Sequence, residues 1–155
     1  RHWNYNASQL PASRLSLPLR TQVCCGPGLE SIYQFLAARE GAGPVAADAP
    51  AIARGALKGD DARSKEAVAL LLDILGQEAG NWALRSLARG GVYIAGGITP
   101  KLLPIVRQGG LGKAFLNQGT RFSHVLESMP LKVVTSDDVG MLGSCLYASR
   151  ELREM

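Results

Sequence analysis

Acidic residues are missing from this chain until Glu30, histidine occurs only at His2 and His124, and cysteine only at Cys24, Cys25 and Cys145. Three cysteines, two of them adjacent, with two distant histidines match no metal-ligand spacing, so no structural or catalytic metal is expected. An odd set of thiols fits reduced cysteines in a cytosolic protein better than a disulfide framework. No apolar run approaches the ~18 residues that cross a bilayer, so no membrane span is expected. The net charge is +4, but the basic residues form no dense block and few aromatics lie between them, which disfavours nucleic acid as a partner. Internal repeats and low-complexity tracts are missing too. Asn6-Ala7-Ser8 fits a glycosylation acceptor but lacks any secretory context, and is read as chance.

What is present is the composition of one ordinary globular domain: 155 residues, 46% hydrophobic and 19% charged, enough to bury a core. Residues 1–22 differ from the rest, with Arg1, Arg14 and Arg20, three serines, Pro11 and Pro18. They stay unassigned as a loop, a basic tail or the end of a targeting segment. The chain begins at Arg1 rather than Met, as a processed form or a piece of a longer protein would.

The organising stretch is Gly90 to Lys101. A β-rich run, Val92 to Ala95, closes on Gly96-Gly97, and Thr99-Pro100 offers a cap and a first-turn proline for a helix. A strand–turn–helix of this kind leaves backbone N–H groups and a positive helix end beside glycines that admit a ligand, which suits a phosphate or nucleotide. The same pattern also serves as a plain sharp turn.

Upstream, Thr21 to Cys25 reads as a short extended run. It leads into Gly26-Pro27-Gly28 and a helix carrying Leu29, Ile32, Tyr33 and Leu36, with Pro27 in its first turn and Glu30 at its positive end. Gly41 to Pro50 reads as a connection and Ala51 to Leu57 as a short helix. After Gly59-Asp60-Asp61, a long helix is expected over Ala62 to Arg89. Its stripe of Val68, Leu72, Leu75, Ala79 and Trp82, widened by Leu71, Ile74 and Leu87, places Trp82 in the core. Gly80-Asn81 inside it costs ~1 kcal/mol against alanine, a local conflict that close packing or a ligand would explain.

Beyond the organising stretch, one helix is expected to run through Leu102–Val106 to Gly109-Gly110. Short helical pieces follow over Leu111–Leu116 and Arg121–Glu127, then a strand over Leu131–Thr135. A third glycine turn, Gly140 to Ser144, introduces a closing helix over Leu142–Leu152. Adjacent Asp137 and Asp138 fit a catalytic or Mg²⁺-binding pair, or the caps that acids before a helix usually are. The order of elements argues for an α/β fold with few parallel strands and several helices, the three glycine turns lining one crevice at the strand ends.

Cys25-Gly26-Pro27-Gly28-Leu29 with Ile32-Tyr33, then Gly80-Asn81-Trp82-Ala83-Leu84, Gly90 to Pro100, Gly110 to Phe115 with Gly119, Arg121 and Phe122, and Gly140 to Ser144 form an ordered series of motifs. From about Val23 to Arg150 the series resembles the C-terminal part of bacterial-type glucokinase, of the sugar kinase and actin-like ATPase superfamily. The resemblance implies a partial ribonuclease-H-like lobe over residues 23–155. It also implies ATP-dependent phosphorylation of glucose in the cytoplasm, with ATP and Mg²⁺ as cofactors, and it allows a homodimer.

By the same resemblance Gly96, Gly97 and Ile98 lie near the nucleotide, Gly26, Pro27 and Gly28 form a neighbouring loop, and Gly140, Met141 and Gly143 close the pocket. The family's amino-terminal phosphate motif, the Asn-Asp pair with its general base and the Glu-x-x-His sugar motif do not occur in these residues. The span alone is therefore expected to be inactive. The alternatives are a non-catalytic nucleotide-binding or interaction module, and a kinase of the superfamily acting on another sugar.

Overall fold

The computed structural model describes residues 23–154 except positions 44, 118 and 120; the basic stretch 1–22 lies outside the described residues. The chain runs α1 (Gly26–Arg39), α2 (Ala49–Lys58), α3 (Ala62–Ser86), β1 (Val92–Ile94), α4 (Ile98–Lys101), α5 (Leu103–Val106), α6 (Gly110–Leu116), α7 (Ser123–Glu127), β2 (Leu131–Val133) and α8 (Val139–Glu154). Of the extended run expected before α1, Val23 is helical and Cys24 bends. Cys25 has extended angles, as the N-cap of α1 (φ −141°, ψ 176°), and Thr21 and Gln22 lie outside the described residues.

The long helix α3 is the axis on which the rest packs, touching α1, α2, α6, α7 and β1. It starts where the Asp61 carboxylate accepts the Arg63 N–H at 3.0 Å, satisfying one of the donors that a helix start leaves open. It stops at Ser86, short of the expected Arg89, because Leu87 turns left-handed at φ 49°. Ala67, Val68, Leu71, Leu72, Ala79 and Ala83 of α3 are buried with Leu29 and Leu36 of α1, Ile52 of α2, Leu111 and Phe115 of α6, and Leu126 of α7. Each large side chain buried in full contributes roughly 1.5–3 kcal/mol.

Trp82 corrects the core expectation, since it is 50% exposed and lies under the Arg85 guanidinium, 5.0 Å from the ring centroid. Leu87 is exposed as well. Along the second half of α3 the buried side is taken by Gly76, Ala79, Gly80 and Ala83, because neighbouring backbone approaches too closely for a bulky ring. A Cβ on Gly76 would stand 2.5 Å from the Leu111 carbonyl oxygen and 2.7 Å from the Ala114 Cβ.

The first three helices are tied by polar contacts. Glu30 accepts the Ala49 N–H at 3.0 Å, joining α1 to the start of α2, and the Tyr33 hydroxyl donates to Asp61 at 3.2 Å. The strands β1 and β2 pair in parallel, with Val92 opposite Leu131 and Ile94 opposite Val133, as the order of elements predicts. A parallel pair needs a crossover, supplied here by α4 to α7. The single helix expected after β1 is two, α4 and α5, parted at Leu102. Pro104 has no N–H to offer the carbonyl four residues back, which interrupts the ladder at that point.

The closing helix α8 begins at Val139, three residues before the expected start, so the glycines read as a turn lie inside its first turns. The Asp138 carbonyl accepts the Leu142 N–H at 2.9 Å, which places Asp138 immediately before the first turn of the helix. All side chains described on α8 are exposed, including Met141, Leu142, Leu146, Tyr147 and Leu152.

Candidate functional site

Two of the three glycine-marked segments meet. Where α1 begins beside the β1–α4 turn, a cleft of about 180 Å³ is lined by Cys24, Cys25 and Gly26 on one side and by Ile94 to Thr99 on the other, with Leu71 and Leu75 of α3 between them. Of the expected site residues, Gly26, Gly96, Gly97 and Ile98 share this cleft. Pro27 and Gly28 sit in the first turn of α1 and do not line it. Gly140, Met141 and Gly143 lie on the exposed helix α8 and are not part of it.

The glycines of the cleft have different reasons to be glycine. Gly96 takes φ 118°, a conformation L-residues avoid, so the turn itself demands it. Gly97 has an ordinary φ of −78° and a Cβ there would meet no protein atom within 4 Å. The chain's own packing therefore leaves Gly97 free to be alanine, and the space above it stays open for a ligand. Gly28 is fixed by packing: its Cβ would run into the Val23 carbonyl.

Thr99 does not cap the following helix as expected, whereas Pro100 does lie in its first turn. Gly97 holds the N-cap position, and Thr99 lies one turn-step inside α4, 3% exposed, against the cleft. Leu71 and Leu75 were legible as core positions of α3, but nothing in their spacing marks a cleft wall. Cys24 and Cys25 carried a signal in their adjacency to the glycine turn, and only the fold shows that they face Gly96.

Among the described residues no Asp, Glu, His, Lys or Arg lines this cleft. Burial, followed by the nearby Glu78 carboxylate and Cys25, pushes the Cys24 thiol above its ordinary pKa, so that thiol stays protonated at neutral pH. Its chemistry is apolar side chains, main-chain amides, two thiols and Thr99. Among the described residues no group of three His, Cys, Asp or Glu is placed to hold a metal ion, and no helix is long and apolar enough to cross a membrane.

A larger groove of about 470 Å³ lies on another flank of α3, edged by Glu66, Asp73, Ile105, Gln108 and Lys113. It is the roomier hollow, yet of the glycine-marked segments it includes only Gly110. Its charged edge mixes Glu66, which is paired with Arg39 at 2.8 Å, with Asp73 and Lys113, and the convergence of two glycine-marked segments singles out the smaller cleft as the candidate ligand wall.

Comparison with known proteins gives the family of the chain. The family model "Glucokinase" matches residues 9–151. The chain is 33% identical over 153 residues to a glucokinase of Nostoc sp. strain PCC 7120, an alignment covering 83% of this chain and 43% of that protein. It is 38% identical over 102 residues to one of Synechocystis sp., covering 66% of this chain and 28% of the relative. The crystal structure of a glucokinase from an Antarctic psychrotroph superposes with a TM-score of 0.72 at 29% identity, over 80% of this chain and 38% of the other. The chain thus spans less than half the length of the curated relatives it matches. With its ordered glycine motifs, its helix-rich partial sugar-kinase fold and a family match across most of its length, the chain belongs to the glucokinase family.

Proposed function

We propose that this chain supplies the adenosine-facing wall of the ATP site in a glucokinase, the complete enzyme transferring the γ-phosphoryl group of ATP to glucose to give glucose 6-phosphate. The observation that carries the reading is the convergence of Gly26 and the Gly96–Ile98 turn on one uncharged cleft, in a chain of that family. A wall without charge favours the flat, neutral part of the nucleotide over its phosphates. Its 180 Å³ is below the ~300–1,000 Å³ of a complete small-molecule site. The cleft is therefore one side of a larger pocket.

Phosphoryl transfer of this kind rests on holding the two substrates in line and on stabilising the charge that develops. The wall serves the first requirement by fixing the adenosine end. Among the described residues no carboxylate lines it, so the general base, the sugar site and the phosphate-binding groups fall to other residues, and the chain alone is expected to give no turnover. Mg²⁺ belongs to the reading as a companion of the ATP phosphates. The described residues include no three-ligand group for it, so no step here is routed through the ion.

In this reading residues 23–155 form a C-terminal lobe of the ribonuclease-H-like, actin-like ATPase type. Two parallel strands flanked by helices support that architecture. The apolar side chains exposed on α8 support further packing against it, after which Gly140, Met141 and Gly143 would close the pocket. The same reading places the enzyme in the cytoplasm without nucleic-acid or membrane partners, and it allows a homodimer.

Gly97→Ala provides the test. The substitution fills space that only a ligand needs, so stability should stay within about 0.5 kcal/mol of the parent, as for surface changes that break no contact. ATP affinity by calorimetry should fall about 5- to 150-fold, the equivalent of ~1–3 kcal/mol for one intruding methyl group. Unchanged ATP affinity in a folded Gly97→Ala chain would remove the nucleotide from this cleft.

A further inference from the structure

We propose that Cys24 and Cys25 together form a dithiol site for trivalent arsenicals in the wall of the candidate nucleotide cleft, and that filling it excludes the nucleotide. Both cysteines line the cleft, both are half-buried, and neither is in a disulfide. The cavity beside them opens onto Gly96 and Gly97, whose missing side chains leave room for a group bonded to sulfur. Cys145 stands apart, exposed on α8.

Adjacency decides which chemistry the pair suits. A disulfide asks for Cα atoms about 4.4–6.8 Å apart, whereas consecutive Cα atoms are ~3.8 Å apart, so direct sulfur–sulfur bonding is strained. A single soft atom held between the two sulfurs removes the demand that they approach to bonding distance. Thiolates prefer such soft partners. Among the described residues no third ligand completes a metal cage here, which favours an acceptor satisfied by two sulfurs over a zinc-like ion.

An organic arsenoxide meets that condition. Each thiol gives up its proton and forms one As–S bond, the arsenic–oxygen double bond breaks, and the oxygen leaves with both protons as water. Arsenic stays trivalent, so no oxidant or reductant is required. The organic substituent then projects into the cleft. Because the Cys24 thiol is held protonated by its surroundings, capture should quicken as pH rises.

The exclusion of nucleotide rests on the ATP reading above, and the test separates the two. Phenylarsine oxide is added to the purified chain, with adducts read by mass spectrometry and remaining thiols by titration. One arsenical per chain is expected, with the loss of two reactive thiols and the retention of Cys145. A dithiol such as 2,3-dimercaptopropanol should reverse it and a monothiol should not.

Cys24→Ser and Cys25→Ser should each weaken capture ~100-fold or more, the scale on which joining two contacts raises affinity, while Cys145→Ser changes nothing. ATP should bind the untreated chain and not the loaded one. Reversal by a monothiol, or equal capture by the serine variants, overturns the dithiol site. Equal ATP binding before and after loading overturns the exclusion. Capture as expected in a chain that never bound ATP upholds the dithiol site and refutes the nucleotide reading instead.

Discussion

Alanine at Gly76 should destabilise the protein although it improves the local helix. Gly76 lies inside α3, where exchanging glycine for alanine ordinarily gains about 0.5–1 kcal/mol. Here the new Cβ would stand 2.5 Å from the Leu111 oxygen, 2.7 Å from the Ala114 Cβ and 3.0 Å from the Phe115 nitrogen. Two of these three are main-chain atoms of α6, which cannot rotate away, so α6 has to shift from α3. Overpacking of this kind costs typically ~1–3 kcal/mol, occasionally more.

Set against the helix gain, the expected net change is a loss of up to about 2.5 kcal/mol, or up to ~10 °C in Tm for a chain of this size. Gly112 is the control, because it lies within α6 with nothing inside 4 Å of its Cβ position. Gly112→Ala should raise Tm by ~1–4 °C through helix propensity alone. Calorimetric melts of the parent and both variants decide the matter. Equal or opposite shifts for the two alanines would refute the close α3–α6 approach, and with it the reason given for the exposure of Trp82.

Other outcomes follow from the same geometry. Gly91 takes φ 107° and its Cβ would lie 2.8 Å from the Pro130 oxygen, which already accepts the Val92 N–H. Gly91→Ala should therefore cost ~1–3 kcal/mol, visible as a lower urea midpoint, and an unchanged midpoint would mean that the β1–β2 entry is loose. Asp61 accepts from the Ser64 hydroxyl at 2.5 Å as well as from Arg63 and Tyr33. The Ser64 bond chiefly, with the others, holds its carboxyl below the ordinary range. A depressed folded pKa adds stability that is fully present above the unfolded value and disappears as pH falls through the folded one. Asp61→Asn should flatten that part of the acid limb in a pH series of melts, and an identical acid limb would show that the α2–α3 corner does not depend on this charge.

Much of the fold was legible where one local rule acted alone. The β1 run, the proline in the first turn of α1, the Asp61-headed long helix and the parallel pairing of the strands follow from propensity, capping and element order. What escaped the sequence was set by distance in space. The spacing of the stripe on α3 ranks Trp82 with Val68 and Leu72, and only the close approach of α6 at Gly76 shows why small residues take the buried side there. Gly96, Gly97 and Gly28 look alike as letters, yet one is required by φ, one by a neighbouring carbonyl and one by nothing in the chain. The start of α8 was missed because Gly140 and Gly143 read as a turn, while exposed glycines of this kind are tolerated inside a helix at ~1 kcal/mol each.

The central claim is that Gly26 and the Gly96–Ile98 turn face the adenosine of ATP. Backbone amide shifts of the labelled chain, recorded during titration with ATP and then with ribose triphosphate lacking the base, test it most directly. The account predicts shifts at Cys25, Gly26, Gly96, Gly97, Ile98 and Thr99 that need the base and saturate together, with Glu66, Asp73 and Gln108 of the larger groove unmoved. Shifts centred on that groove, or a cleft equally responsive to the base-free triphosphate, would contradict it.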